Sequence, residues 1–383
     1  MAYIPRLMLP ILRDRMFQGK ALVLLGARQT GKTSLIRKLA EEWSDDVVWL
    51  NADRPEVRRQ LSNAALAVLR QLVGNKRVVV IDEAQRVRNI GLTLKLFIDE
   101  LPELQLVATG SSAFELANEI NEPLTGRKWE YYLYPVAWAE LQAAIGLLEA
   151  REQLETRLIY GMYPDVINRV GREREVLLSL SGSYLYKDVF EFRGVRKPEI
   201  LWQLLQALAL QLGSEVSYNE LSQLLNIDKN TVSNYLDLLE KSYIVFRLMP
   251  LSRNLRNEIT SSRKVYFYDN GIRNAVLENF SPLSMRTDVG ALWENFLVSE
   301  RLKMRQYTGL HGKSYFWRTK AQQEIDYVEE IDGQFRAWEF KWNPKAKVRF
   351  AASFQESYSP VSTEVVSTEN FEAFLGAGDL GGI

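Results

Sequence analysis

Residues Gly26 to Thr33 read GARQTGKT and satisfy the pattern G-x-x-x-x-G-K-[ST] at every fixed position. Glycines let such a loop turn its N–H groups inward, and the N-terminus of a following helix adds partial positive charge, a combination that cradles phosphate. Lys32 is long enough to reach β- and γ-phosphates, the Thr33 hydroxyl can ligate Mg²⁺, and Ala27, Arg28, Gln29, Thr30, Gly31 and Ser34 complete a loop that would wrap a nucleotide. ATP and Mg²⁺ are the expected ligands. A second constellation, VVVIDE at 78–83, ends in adjacent acids. Asp82 would hold Mg²⁺ through a bound water, and Glu83 would orient and polarise the water that attacks the γ-phosphate. Ser111 and Ser112, closing ATGSS, offer hydroxyls between γ-phosphate and water, and Arg127 in LTGRKWE is a candidate arginine finger. For the serines a turn role stays open, and for Arg127 an ordinary surface role.

A third constellation lies near the other end. Asp326 falls on one strand candidate, and Glu339 and Lys341 fall two apart on the next, so period-two geometry puts the latter pair on one face. Two carboxylates can hold a hard divalent cation while a lysine positions water for attack on a phosphodiester. Glu294, on the preceding helix, can complete the acidic set. A solvated cross-strand charge cluster is the competing account.

These residues need elements to position them. ALVLL at 21–25 before the loop and SLIRKLAEEW at 34–43 after it predict strand, loop and helix. Further strand candidates are VVWLN (47–51), RVVVID (77–82), LQLVATG (104–110) and WEYYLY (129–134), separated by helical segments at 55–73 and 91–101. Short apolar strands without alternation, spaced by helices, indicate a parallel sheet covered on both faces. Residues 138–212 predict helices, interrupted at GMYPD (161–165) and Pro198. At 213–250, Ser217 with Glu220 and then Asp228 are caps for two short helices before the run YIVFRLMPL, the pattern of a winged helix-turn-helix. The second of these helices presents Lys229, Asn230, Ser233 and Asn234 together with Asp237 and Glu240, so DNA contact and a structural connector both stay open. Arg253 with Arg256 and Arg263 with Lys264 are local basic clusters, with solvated loop charge as the commoner explanation. Beyond them, strand candidates at 265–269, 314–320, 323–330 and 334–342, a helix at 291–304, a helix-like stretch VRFAASFQESY and a last strand TEVVST form an α/β block. Asp332-Gly333 is a hairpin signal, and for Tyr315, Phe316 and Trp317 sheet packing is the commoner role and base stacking the alternative.

Composition narrows the chemistry. The 383 residues hold 48 Lys+Arg and 48 Asp+Glu, so no global basic excess announces nucleic acid. With no cysteine and a single histidine, His311, thiol chemistry, cysteine zinc sites and histidine triads drop out, leaving oxygen ligands suited to Mg²⁺. The N-terminal stretch is broken by Pro5, Arg6, Pro10 and Arg13, unlike a signal peptide, and no run of 18 apolar residues occurs, so the cytoplasm is the expected compartment, with no membrane partner.

The run YIPR, GARQTGKTSLIRKL, VVVIDEAQ, LVATGSS, LTGR and YP, followed by GMYPD, resembles a prokaryotic family of AAA-type P-loop ATPases with a C-terminal domain of uncharacterised function. The resemblance covers essentially the whole chain. It implies a parallel sheet in the order 5-1-4-3-2, with Lys32 and Thr33 at the phosphate and magnesium positions and Asp82 and Glu83 as the paired acids. The serine pair departs from the asparagine or threonine usual in such ATPases. The Asp326…Glu339-x-Lys341 pattern, with Glu294 on the helix before it, resembles the PD-(D/E)xK nuclease core. The expected organisation is an AAA-type ATPase domain at 1–145, a helical connector at 146–212, a winged-helix-like unit at 213–255 and a nuclease-like domain at 256–383. Two outputs fit: an ATP-driven switch on DNA or RNA, with or without cleavage, and a regulatory ATPase whose last domain binds protein. Oligomeric state is left open.

Overall fold

The computed structural model describes residues 3–111, 120, 122–184, 195, 197–252 and 263–376. Ser112 and the Arg253/Arg256 cluster lie outside them. The described chain divides into two compact units. One comprises Tyr3–Val136 with Lys241–Tyr243, and the other comprises Ala137–Glu240 with the described residues from Ile244 onward.

In the first unit the helices are α1 (Met8–Asp14), α2 (Lys32–Ala40), α3 (Pro55–Leu61), α4 (Leu66–Val73) and α5 (Ile90–Glu100). The strands are β1 (Ala21–Leu25), β2 (Val47–Asn51), β3 (Val78–Asp82), β4 (Gln105–Gly110) and β5 (Lys128–Tyr132). They form one parallel sheet in the order β2-β3-β4-β1-β5, the order expected from the resemblance. Every residue of β1, β3 and β4 is buried, which is why these strands are continuous apolar runs with no alternation. The register pairs Leu25 with Gly110 and Ile81 with Ala108. The carboxyl ends of β1, β3 and β4 therefore lie together at one edge, where open α/β sheets place their ligands. The helical stretch expected at 55–73 is two helices. Ser62 bonds its hydroxyl back to the Arg58 carbonyl at 2.6 Å and Asn63 takes a left-handed φ of +52°, which ends the first helix.

The second unit begins with α6 (Trp138–Ile145), α7 (Leu147–Glu152), α8 (Leu154–Tyr160), α9 (Pro164–Asn168), α10 (Glu173–Tyr184) and α11 (Pro198–Leu210). The first compact unit runs to Val136. Trp138 is fully buried among second-unit residues, edge-on to Phe296 and Phe371 at 5.8 and 5.2 Å, and its backbone N–H donates to Glu300. Next come β6 (Glu215–Val216), α12 (Tyr218–Leu225), α13 (Lys229–Lys241), β7 (Val245–Pro250), β8 (Arg263–Phe267) and α14 (Asn270–Val276). The chain finishes with α15 (Val289–Tyr307), β9 (Lys313–Arg318), β10 (Glu324–Ile331), β11 (Gln334–Phe340), α16 (Ala352–Tyr358), β12 (Ser362–Val366) and α17 (Phe371–Leu375). A seven-stranded sheet runs β12-β11-β10-β9-β7-β8-β6. The segments drawn as 213–255 and 256–383 hence share one sheet, because β7 pairs with β8 and, in parallel, with β9 at Met249–Tyr315 and Pro250–Phe316. Tyr315, Phe316 and Trp317 are buried in that sheet, and Trp317 packs edge-on to Phe354. Among the described residues no helix is long and apolar enough to cross a membrane.

Candidate nucleotide site and acidic cluster

The loop from Gly26 leaves the end of β1 and runs into the first turn of α2. Gly26, at φ +148°, lies so close to Leu133 that a Cβ would sit 2.2 Å from its carbonyl oxygen, so no side chain fits there. Gly31, at φ +98°, makes the left-handed entry to α2. Thr30 is buried and donates to the Ala27 carbonyl at 2.9 Å, pinning the loop across its width. Lys32, also buried, folds its ammonium over the loop and donates to the carbonyls of Gly26 and Ala27, both at 2.8 Å. The loop is braced from outside by Arg6, which the sequence reading passed over. Its guanidinium donates to the Thr30 carbonyl and to the Tyr134 carbonyl, each at 2.7 Å.

At the foot of the loop, Thr33 Oγ1 donates to Asp82 Oδ2 at 3.0 Å. A hydroxyl and a carboxylate side by side at the N-terminus of α2 form an oxygen-only donor set, which fits a magnesium ion carrying nucleotide phosphates. Thr109, near the end of β4, donates to Asp82 Oδ1 at 2.5 Å and accepts the Glu83 backbone N–H at 3.1 Å. Glu83 itself sits in the left-handed region at φ +55°. Its Oε2 accepts from Gln85 Nε2 at 2.6 Å and from Ser111 Oγ at 3.3 Å. Lys32, Thr33, Asp82, Glu83 and Ser111 therefore gather at one sheet edge, as their strand-end positions require. Gln85 and Thr109 were missed, although both lie within the quoted runs VVVIDEAQ and LVATGSS.

Arg127 does not join them. The Ala21 N–H donates to the Arg127 carbonyl at 3.0 Å, so Arg127 lies beside the first residue of β1 whereas the loop follows its last. Five strand residues at about 3.3 Å each separate the two ends by roughly 16 Å. Its guanidinium is bonded to Asp99 at 2.7 Å. The finger expected at Arg127 is thus withdrawn for the site in its own chain.

In the second unit, the β10–β11 register pairs Tyr327 with Trp338, which brings Asp326 opposite Glu339. Asp326 Oδ2 accepts the Phe340 N–H at 2.8 Å and lies 3.6 Å from Lys341 Nζ, which is 2.9 Å from Glu339. Glu294 on α15 accepts from Tyr266 at 2.6 Å and from Lys264 at 2.9 Å. Lys264 is 1% exposed and also pairs with Glu324 at 2.6 Å, so it is an interior cation and no loop charge. Burial pushes Glu294 up to about 7, and burial together with the facing Asp326 does the same to Glu339. Burial opposes the Lys264 charge, but Glu294, Asp326 and Glu324 outweigh it and raise its pKa. Among the described residues no three acidic or histidine side chains are spaced to hold a metal ion. The hairpin brings Asp326, Glu339 and Lys341 together as their spacing requires, while Glu294 is paired with the buried Lys264. Arg263, the other half of that basic pair, lies over the Tyr218 ring at 4.8 Å.

The sheet order, the loop and the strand-end acids define a P-loop NTPase fold carrying a further α/β unit. Comparison with known proteins agrees. A model of the AAA domain matches residues 18–142, and two models described as domains of unknown function match residues 151–283 and 289–376. An uncharacterised protein of Mycobacterium tuberculosis is 26% identical over 343 residues, covering 86% of this chain and 72% of its own length. One of Methanocaldococcus jannaschii is 24% identical over 319 residues, covering 73% of this chain and 67% of its own. Among solved structures, a Walker-type ATPase of Pyrococcus abyssi superposes with a TM-score of 0.52 at 17% identity, covering 72% of this chain and 96% of that one. At that identity the likeness is one of fold.

Proposed function

We propose that this chain binds ATP with Mg²⁺ and hydrolyses it at the Gly26–Thr33 loop. The observation that carries the reading is the Thr33–Asp82 hydrogen bond at the foot of the loop, with Glu83 directly beside it. Residues Gly26 to Ser34 wrap the phosphates, and Lys32 exchanges its carbonyl partners for phosphate oxygens. Thr33 and Asp82 would hold the magnesium, which would supply neutralisation of the charge building on the transferred phosphoryl group. Glu83 orients the attacking water and takes its proton, and Ser111 steadies both.

The output belongs to the second unit. The order α11, β6, α12, α13, β7, β8, with β6 pairing antiparallel to β8, supports a winged-helix assignment. On its second helix Asp237 and Glu240 engage Arg247 of β7, while Lys229 and Asn230 are exposed. The order α15, β9, β10, β11, α16, β12 supports a nuclease-like core, one in which Glu294 is paired with the buried Lys264. The Glu294–Lys264 pair, which takes one carboxylate out of the acidic set, favours a regulatory ATPase with a binding module that recognises protein over a nuclease. An ATPase assay with and without single- and double-stranded DNA and RNA tests both parts. Lys32→Ala and Glu83→Gln are each expected to cut turnover on the order of 100-fold or more, Glu83→Gln with nucleotide binding retained. Wild-type turnover in Glu83→Gln would overturn the site, and stimulation by a nucleic acid would replace the protein-partner reading.

A further inference from the structure

Glu83 can act as a base only if its carboxylate is held in one orientation, and one neighbour does most of that holding. Both N–H groups of the Gln85 amide are engaged: Nε2 donates to Glu83 Oε2 at 2.6 Å and to Ser111 Oγ at 2.9 Å. The amide thus ties the strand-β3 carboxylate to the hydroxyl that follows β4. Glu83 Oε1 accepts no hydrogen bond among the described residues, which leaves one carboxylate oxygen clamped and the other available to a water.

Two costs accompany the arrangement. Gln85 Oε1 is buried without a hydrogen-bond partner among the described residues, which carries a desolvation penalty. A flipped amide would set its carbonyl against the Glu83 carboxylate, so the orientation follows from charge. Glu83 also holds a left-handed backbone, φ +55° and ψ +42°, as it enters the short turn Ala84–Arg86 that carries Gln85. That conformation is uphill for a non-glycine residue. Thr109 sustains it by accepting the Glu83 N–H while donating to Asp82. An orphaned polar atom and a strained backbone in the same three residues mark a site organised for something other than stability.

We propose that Gln85 is a positioning residue for ATP hydrolysis: its side-chain amide locks Glu83 Oε2 against Ser111 and so presents Oε1 to the attacking water. The inference rests on Glu83 being the base. It does not require Gln85 to touch nucleotide, so its signature is a loss of turnover without a loss of affinity. Freeing a catalytic group from its orienting contact costs up to about 100-fold in rate.

The test is a double-mutant cycle on the full chain. Steady-state ATP turnover and binding of a fluorescent ATP analogue with Mg²⁺ are measured for wild type, Gln85→Ala, Gln85→Met, Glu83→Gln and the double variants. Gln85→Met keeps the side-chain volume without a donor, should Gln85→Ala fold poorly. The expected result is a fall in kcat of about 10- to 100-fold in each Gln85 variant, with KM and analogue affinity within about twofold of wild type. In the Glu83→Gln background, removing Gln85 should cost nothing more, because there is no base left to aim. Wild-type kcat in both Gln85 variants would overturn the proposal, as would an undiminished loss in the Glu83→Gln background or a loss confined to affinity. A wild-type chain that turns over no faster than Lys32→Ala would instead sink the ATPase reading on which this one stands.

Discussion

Arg6 is 6% exposed, and its guanidinium bonds carbonyls 24 and 128 residues away. A charge-assisted donor fork of this kind can hold two backbone segments at fixed distance, as a neutral side chain cannot. Arg6→Met fills a similar volume yet leaves both carbonyls short of a donor. Urea unfolding should show a loss of about 2–4 kcal/mol from the two unpaired acceptors, and nucleotide affinity should fall because the Thr30 end of the loop loses its brace. Unchanged stability with unchanged affinity would dismiss the strut. At this scale the sequence showed which residues carry chemistry and concealed which residues hold them. Lys32, Thr33, Asp82 and Glu83 were legible because phosphate and magnesium chemistry demands those types at those spacings. Arg6, Gln85 and Thr109 were not, since an arginine, a glutamine and a threonine acquire roles only from neighbours that the fold supplies.

Among the elements, the strands of the first sheet were legible almost residue for residue, because burial on both faces leaves unbroken apolar runs. GMYPD was visible only as a break between helices. Its use is tertiary: the Met162 N–H donates to the buried Asp269 carboxylate at 2.7 Å, and a Cβ on Gly161 would meet that carboxylate at 2.0 Å. The entry to α15 is another case. Asp288, its N-cap residue, accepts from Arg286 at 2.8 Å and from Arg273 at 2.5 Å, and both arginines are almost wholly buried. Burial raises the Asp288 pKa, but the two arginines outweigh it and bring it down to about 2. A depressed carboxylate stabilises the fold fully above its unfolded value, near 3.8, and that contribution is lost as pH falls through about 2. Asp288→Asn should therefore cost about 2 kcal/mol at pH 7, with the gap to wild type narrowing as unfolding is measured from pH 4 toward pH 2. A gap that stays constant over that range would exclude the ionic anchor.

For the whole molecule, the question is whether the second unit does chemistry. Lys264 sits between Glu294 and Glu324 with 1% of its side chain exposed, a built-in cation beside the acidic cluster. Purified protein is expected to cleave neither DNA nor RNA in Mn²⁺. Lys264→Met should destabilise the unit by about 3–5 kcal/mol at neutral pH, since it leaves buried carboxylates uncompensated. Mn²⁺-dependent nicking abolished by Asp326→Ala would restore the nuclease. The sequence by itself determined the parallel sheet, the phosphate loop and the acids at its edge, because local patterns of burial and spacing are enough to specify them. It could not place Trp138 with the second unit, carry β7 and β8 into the same sheet as β9, remove Arg127 to the far end of β1 or bury Lys264 among carboxylates. Each of those depends on which distant residues a side chain meets, and only the tertiary structure decides that.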